Sequence, residues 1–187
     1  MRIAVLAWGS LVWQPANDFG EISVTGPWRE DGPTLPVEFA RISSDDRLTL
    51  VVVPGYTSLS TVLWAPSTFD TMTEAVANLA ERETGTSPDR IHGVGPDGAH
   101  STPDARIAAT VSAWVTGRDD VDAAVWTGLG PGSRWGEDGW GIEHAYRHVA
   151  SLTGATRDRA LRYIRNAPPR IDTPVRRALD PLVYPTR

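Results

Sequence analysis

Apolar positions in the first third of the chain come in short bursts rather than helical stripes. Arg2–Trp8 is a run of strand-forming residues halted by Gly9-Ser10. The Pro- and Gly-rich stretch from Pro15 to Pro36 has no periodicity and reads as a long irregular excursion. Val37–Ser43 and Leu48–Val53 follow as strands across a hairpin turn, Ser44-Asp45-Asp46-Arg47. Pro54-Gly55 then leads into a third strand, Ser60–Trp64. Connections this tight predict an antiparallel meander that curls into a small barrel or half-barrel.

Helical spacing is clearest over Thr68–Glu83, with Ser67 or Thr68 as cap, Asp70 near the N-terminus, and Gly85 and Pro88 ending the helix. Residues 85–105 read as loop. Ile107–Val115 and Asp122–Thr127 read as two more strands around a turn at Gly117-Arg118-Asp119-Asp120. Gly128–Gly141 holds six glycines together with Trp135 and Trp140, which predicts a mobile lid or rim. Ile142–Leu152 and Thr156–Asn166 read as helices split at Gly154 and stopped by Pro168-Pro169, and a short last helix is expected over Thr173–Leu179. No repeat or linker divides the chain. The expectation is one α+β domain over residues 1–187, a small mixed or antiparallel barrel on which the helices of 142–187 pack.

One acidic residue breaks the pattern of the first helix. Phe69, Met72, Val76 and Leu79 follow the i, i+3, i+4, i+7 rule of a buried stripe, and four residues further on the stripe reaches Glu83. Glu83 projects within roughly 20° of Met72, whereas Glu81 falls near the opposite side. Glu81 is therefore expected in solvent and Glu83 toward the core or a pocket in it. There, loss of water would raise its pKa toward the range useful for proton transfer. A solvated end of the last turn, or an ion pair with an arginine, is the structural alternative.

Composition narrows the chemistry. At 187 residues, with 41% hydrophobic and 22% charged positions, the chain can bury a core without disulfides or a structural metal. It has no cysteine, and all 18 basic residues are arginine, so thiol nucleophiles, cysteine metal sites, a GK[ST] phosphate loop and lysine Schiff bases are excluded. The net charge of −5 argues against nucleic acid as a partner. No run approaches the roughly 20 apolar residues that span a bilayer, and the N-terminus lacks a signal-peptide pattern, so a cytoplasmic protein is expected. His144 and His148 have ligand spacing but not the HExxH order, and Gly128-Leu129-Gly130-Pro131-Gly132 is interrupted by proline. Neither a metal nor another cofactor is expected.

The segment Ala7-Trp8-Gly9-Ser10-Leu11-Val12-Trp13 resembles the Tyr-Gly-Ser-Leu/Asn signature that opens γ-glutamylcyclotransferases, particularly the Tyr-Gly-Ser-Leu-Ile-Trp form of the ChaC-type branch. Leu79-Ala80-Glu81-Arg82-Glu83 resembles the family segment whose glutamate is the catalytic acid/base. The likeness runs in order over residues 2–84, with Phe39–Ile42, Leu48–Val53 and Ser60–Trp64 similar to the barrel strands between these motifs. It implies that Trp8, Gly9, Ser10 and Leu11 hold a γ-glutamyl group and that Glu83 takes a proton from its α-amine. That amine then attacks its own γ-carbonyl, closing 5-oxoproline and releasing an amine. Such a reaction needs orientation, one proton shuttle and oxyanion donors, but no nucleophile, metal or cofactor. Trp135 is the further candidate for contact with the small-molecule substrate.

Trp8 stands where the family has tyrosine, and the segment Gly26–Pro36 has no counterpart in its short members. Two alternatives therefore stand beside the cyclotransferase. One is a non-catalytic or repurposed small-molecule binder on the same fold. The other is an amide-forming or amide-cleaving enzyme of a biosynthetic pathway.

Overall fold

The computed structural model describes residues 1–84, 87–100, 102–136 and 139–185. Gly85, expected to end the first helix, lies outside the described residues, as do positions 137 and 138 of the expected lid. In chain order the elements are β1 (Ile3–Ala7), β2 (Thr34–Leu35), β3 (Val37–Ile42), β4 (Leu48–Val52), β5 (Ser60–Thr61), β6 (Leu63–Pro66) and α1 (Met72–Thr84). They continue with β7 (Ile91–Gly95), β8 (Gly98–His100), α2 (Ala105–Thr116), β9 (Ala123–Thr127), α3 (Ile142–Ser151), α4 (Gly154–Asn166) and α5 (Pro174–Val183). The chain is α+β, and it divides into two compact units.

The first unit comprises Met1–Ala7, Leu11–Leu35 and Thr61–Leu129. Its frame is an open five-stranded sheet in the order β6-β1-β9-β7-β8. β1 runs parallel to β9, with Ile3 level with Ala123 and Val5 with Val125, and antiparallel to β6. One face carries Ile3, Val5, Ala7, Ile91, Ala123 and Val125, which cluster with Ala75, Val76, Leu79 and Ala80 of α1. The alternate residues Leu6 and Trp126 are equally buried, as expected for a sheet covered on both faces. Trp64, opposite Leu6, meets Trp114 of α2 edge to face at 5.4 Å, so α2 covers this second layer. The Arg29 and Arg118 guanidiniums also lie over the Trp64 ring, 4.4 and 4.8 Å from its centroid, and its indole N–H donates to Asp31.

Four sequence expectations are corrected by the structure. Ile107–Val115 is not a strand but most of α2: Ile107, Val111 and Val115 are buried at a helical spacing of four, and Asp104 caps the N–H groups of Arg106 and Ile107. The β-branched residues suggested a strand, yet the intervening alanines are strong helix formers. Residues 85–105 are not all loop, since they contain the β7–β8 hairpin, disguised by Gly93, Gly95 and Gly98. The third meander strand does not extend the β3–β4 hairpin either. Leu63–Pro66 pairs with β1 instead, and Leu63, Trp64 and Ala65 form a continuous buried run rather than an alternating one. α1 also starts four residues later than expected. Thr71 accepts from the Glu74 N–H and donates to its carboxylate, a reciprocal cap, whereas Ser67 turns its hydroxyl to the N–H of Phe69.

The second unit comprises Trp8–Ser10, Pro36–Ser60 and Gly130–Arg187. The β3–β4 hairpin is closed as expected at Ser43–Arg47, with Asp46 in the left-handed region at φ 65°. Its register shifts between Phe39 and Arg41. At that bulge the carbonyls of Phe39 and Ala40 accept the indole N–H groups of Trp140 and Trp135, at 3.2 and 2.7 Å. α3, α4 and α5 follow the helices read from sequence to within a few residues at their ends.

Candidate functional site

α1 delivers Glu83 to one end of the first unit's sheet. Met72, at the start of the helix, packs over Gly95, its Sδ 3.9 Å from where a Cβ on that glycine would sit; Ala123, at the start of β9, is 3.5 Å from the same point. Eleven residues later, about 16 Å along the axis, Glu83 reaches the opposite end, where a 3-10 turn at Pro88–Arg90 leads into Ile91. That is also the carboxyl end of β9 and, through the parallel pairing of Val5 with Val125, of β1. Leu11 belongs to the same apolar cluster as Leu79 and Ala80. Ala7 and Leu11 are the residues that flank Trp8-Gly9-Ser10 in the chain.

As its place on the stripe predicts, the Glu83 side chain is only 15% exposed, while Glu81 is exposed. Burial raises the Glu83 pKa above the usual carboxylate range, and the neighbouring Arg82 guanidinium, which favours the charged form, offsets this in part. Arg82 donates from Nη1 to Glu83 Oε1 at 3.0 Å. The ion pair with an arginine that stood as the alternative reading of Glu83 is therefore formed, and its partner Arg82 is the more deeply buried of the two, at 5%. It also donates to the carbonyls of Gln14 and Pro15, at 2.6 and 3.1 Å, while Asn17 donates to the Arg82 carbonyl. Residues 14–17 thus wrap the last turn of α1 and cover a side chain that helical periodicity places outside the stripe. The five N–H donors of a guanidinium suit this junction of two carbonyls and a carboxylate.

The other predicted site residues belong to the second unit. Trp8 is buried, and its indole N–H donates to the Leu50 carbonyl at 3.2 Å. The same residue's N–H points to the Tyr163 hydroxyl at 3.4 Å. Gly9 packs directly on that hydroxyl: a Cβ there would lie 2.6 Å from the oxygen, so a larger residue does not fit without displacement. Ser10 begins the 3-10 turn Ser10–Val12. Trp135, with its N–H bound to Ala40, sets its ring edge to face with His148 at 6.2 Å. Of the six predicted residues, then, Glu83 and Leu11 lie in one unit and Trp8, Gly9, Ser10 and Trp135 in the other.

A second buried carboxylate was not anticipated. Glu38 on β3 is fully buried and takes hydrogen bonds from the N–H groups of Phe39 and Val175, from the Tyr56 hydroxyl and from Thr173. Burial is the larger influence and raises its pKa; the four donors act against it. A glutamate inside the apolar run Val37-Glu38-Phe39-Ala40 was the available signal.

On the α2 face of the first unit, Asp89, His92, Thr102 and Pro103 line an open pocket of about 450 Å³. Among the described residues no group of three or more acidic or histidine side chains could hold a metal ion, and His148 engages the Asp46 carbonyl at 2.9 Å. No helix among the described residues is long and apolar enough to cross a membrane. No family model, curated protein or solved structure matches the chain.

Proposed function

We propose that this protein is a γ-glutamylcyclotransferase-like enzyme that cyclises a γ-glutamyl or similar amide to 5-oxoproline and releases an amine. Glu83 is its acid/base. The observation that carries this reading is a desolvated carboxyl at the end of α1, at the edge of the first unit's sheet where β9 and its parallel partner β1 have their carboxyl ends. Glu83 takes a proton from the substrate α-amine, which attacks the γ-carbonyl carbon. Collapse of the tetrahedral adduct breaks the bond to the departing amine, which leaves with the proton returned by Glu83. A carboxyl whose pKa is raised toward neutrality performs both transfers more evenly than an ordinary one. The open mixed sheet is the counterpart of the family's small barrel.

Incubation with a panel of γ-glutamyl amides, with 5-oxoproline as the readout, tests this directly. Glu83→Gln should lower kcat/KM by about 10²–10⁴-fold. Equal rates in both proteins would remove Glu83 from the mechanism.

One observation favours a second reading, a small-molecule binder without turnover. Glu83 is already paired with an arginine that ties down residues 14–17, a sufficient structural role for a buried carboxylate. On that reading neither protein forms 5-oxoproline, and Glu83→Gln lowers the Tm.

A further inference from the structure

The end of the sheet that receives Glu83 also holds a polar group with nothing to bind. Thr127, the last residue of β9, has its Oγ1 buried and without a hydrogen-bond partner. Two independent registers fix the direction of its side chain. Along β9, Thr127 alternates with Ala123 and Val125, both members of the cluster packed against α1. Across the sheet it is the partner of Ile91, which belongs to the same cluster. The hydroxyl therefore faces the α1 layer, at the end of the sheet where Glu83 arrives. Trp126 faces the α2 layer, and so does His92, its partner across the sheet, so the open pocket beside His92 does not account for Thr127.

A buried hydroxyl left unpaired is destabilising, and a valine of nearly the same shape would avoid the penalty. We infer that Thr127 is a substrate-binding residue, its hydroxyl donating to a carbonyl or carboxylate oxygen of the γ-glutamyl amide whose α-amine Glu83 deprotonates. This rests on the proposed reaction for the identity of the ligand, but the orphaned hydroxyl stands without it.

Thr127→Val and Thr127→Ser, compared with the wild type, test the assignment. Without ligand, Thr127→Val should keep or raise the Tm, because an unsatisfied group is gone. With γ-glutamyl amides its KM should rise about tenfold, the equivalent of one hydrogen bond, while Thr127→Ser stays within about twofold of wild type. The second arm is thermal stabilisation by 5-oxoproline itself, expected in wild type and Thr127→Ser and lost in Thr127→Val. If the wild type turns over and Thr127→Val matches it in KM, the assignment falls and the proposed reaction stands. If nothing turns over but 5-oxoproline binding still depends on the hydroxyl, the reaction falls and the assignment stands. A wild type that neither turns over these amides nor binds 5-oxoproline overturns both.

Discussion

Among the described residues each unit of this protein buries one glutamate, and the two are treated in opposite ways. Glu38 is surrounded by donors: two backbone N–H groups, a phenol and a threonine hydroxyl converge on its oxygens, one of them from the first turn of α5. Its bonding capacity is spent on holding β3, the Pro54–Tyr56 turn and α5 together. Glu83 has one partner among the described residues, the Arg82 guanidinium at 3.0 Å. Both carboxyls are pushed to higher pKa by burial. Burial alone therefore does not mark a catalytic acid. On the proposed reaction, the carboxyl with bonding capacity to spare, Glu83, is the one that exchanges a proton with the substrate.

The sharpest way to break this contrast is to remove the single partner. Arg82→Met leaves Glu83 without a counter-charge and two backbone carbonyls without a donor, and should destabilise the protein by about 3–5 kcal/mol. Urea unfolding measures this. The acid limb of the kcat/KM profile should move to higher pH in the same variant, because the one influence that lowers the Glu83 pKa is gone. An unmoved limb would separate Glu83 from the proton transfer.

A smaller effect is expected at the other carboxyl. Glu38→Gln replaces one acceptor oxygen by an amide NH₂ facing donors, and should destabilise by about 1–3 kcal/mol. Activity per folded molecule should stay that of the wild type, as determined by 5-oxoproline release beside circular dichroism. If Glu38→Gln abolished turnover in a fully folded protein, the assignment of roles to the two glutamates would have to be reversed.

The smallest effect is in the pH dependence of stability. A carboxyl whose pKa is raised on folding binds its proton more tightly in the native state, so its contribution is fully present below the unfolded value of about 4.3 and is lost as pH rises through the folded pKa. The stability of Glu83→Gln relative to wild type should therefore be level at low pH and climb in the variant's favour as pH rises through that window. Denaturation curves at a series of pH values give the slope. A slope of the other sign would mean that the ion pair with Arg82, not burial, governs Glu83.

The Glu83 side of this contrast was legible in the sequence and the Glu38 side was not, for identifiable reasons. Glu83 stands on the apolar stripe of α1 because 3.6-residue periodicity is a property of the helix itself, and so is the exposure of Glu81. The β3–β4 hairpin and the three C-terminal helices were readable on the same grounds: turn chemistry, proline stops and local spacing act within a few residues. Ile107–Val115 could satisfy either period, and its β-branched residues tipped the reading toward a strand. Only the covering of Trp64 and Trp126 by α2 shows which face the segment had to bury.

The sequence by itself determined which side of α1 carries an acid and where the chain turns between β3 and β4. Tertiary structure alone decided that Arg82 would be buried by residues 14–17 and that Glu38 would be bonded by Val175 from 137 positions away. It also left the hydroxyl of Thr127 without a partner. Periodicity reports the face a residue occupies on its own element, whereas burial and bonding depend on what distant segment is laid over that face.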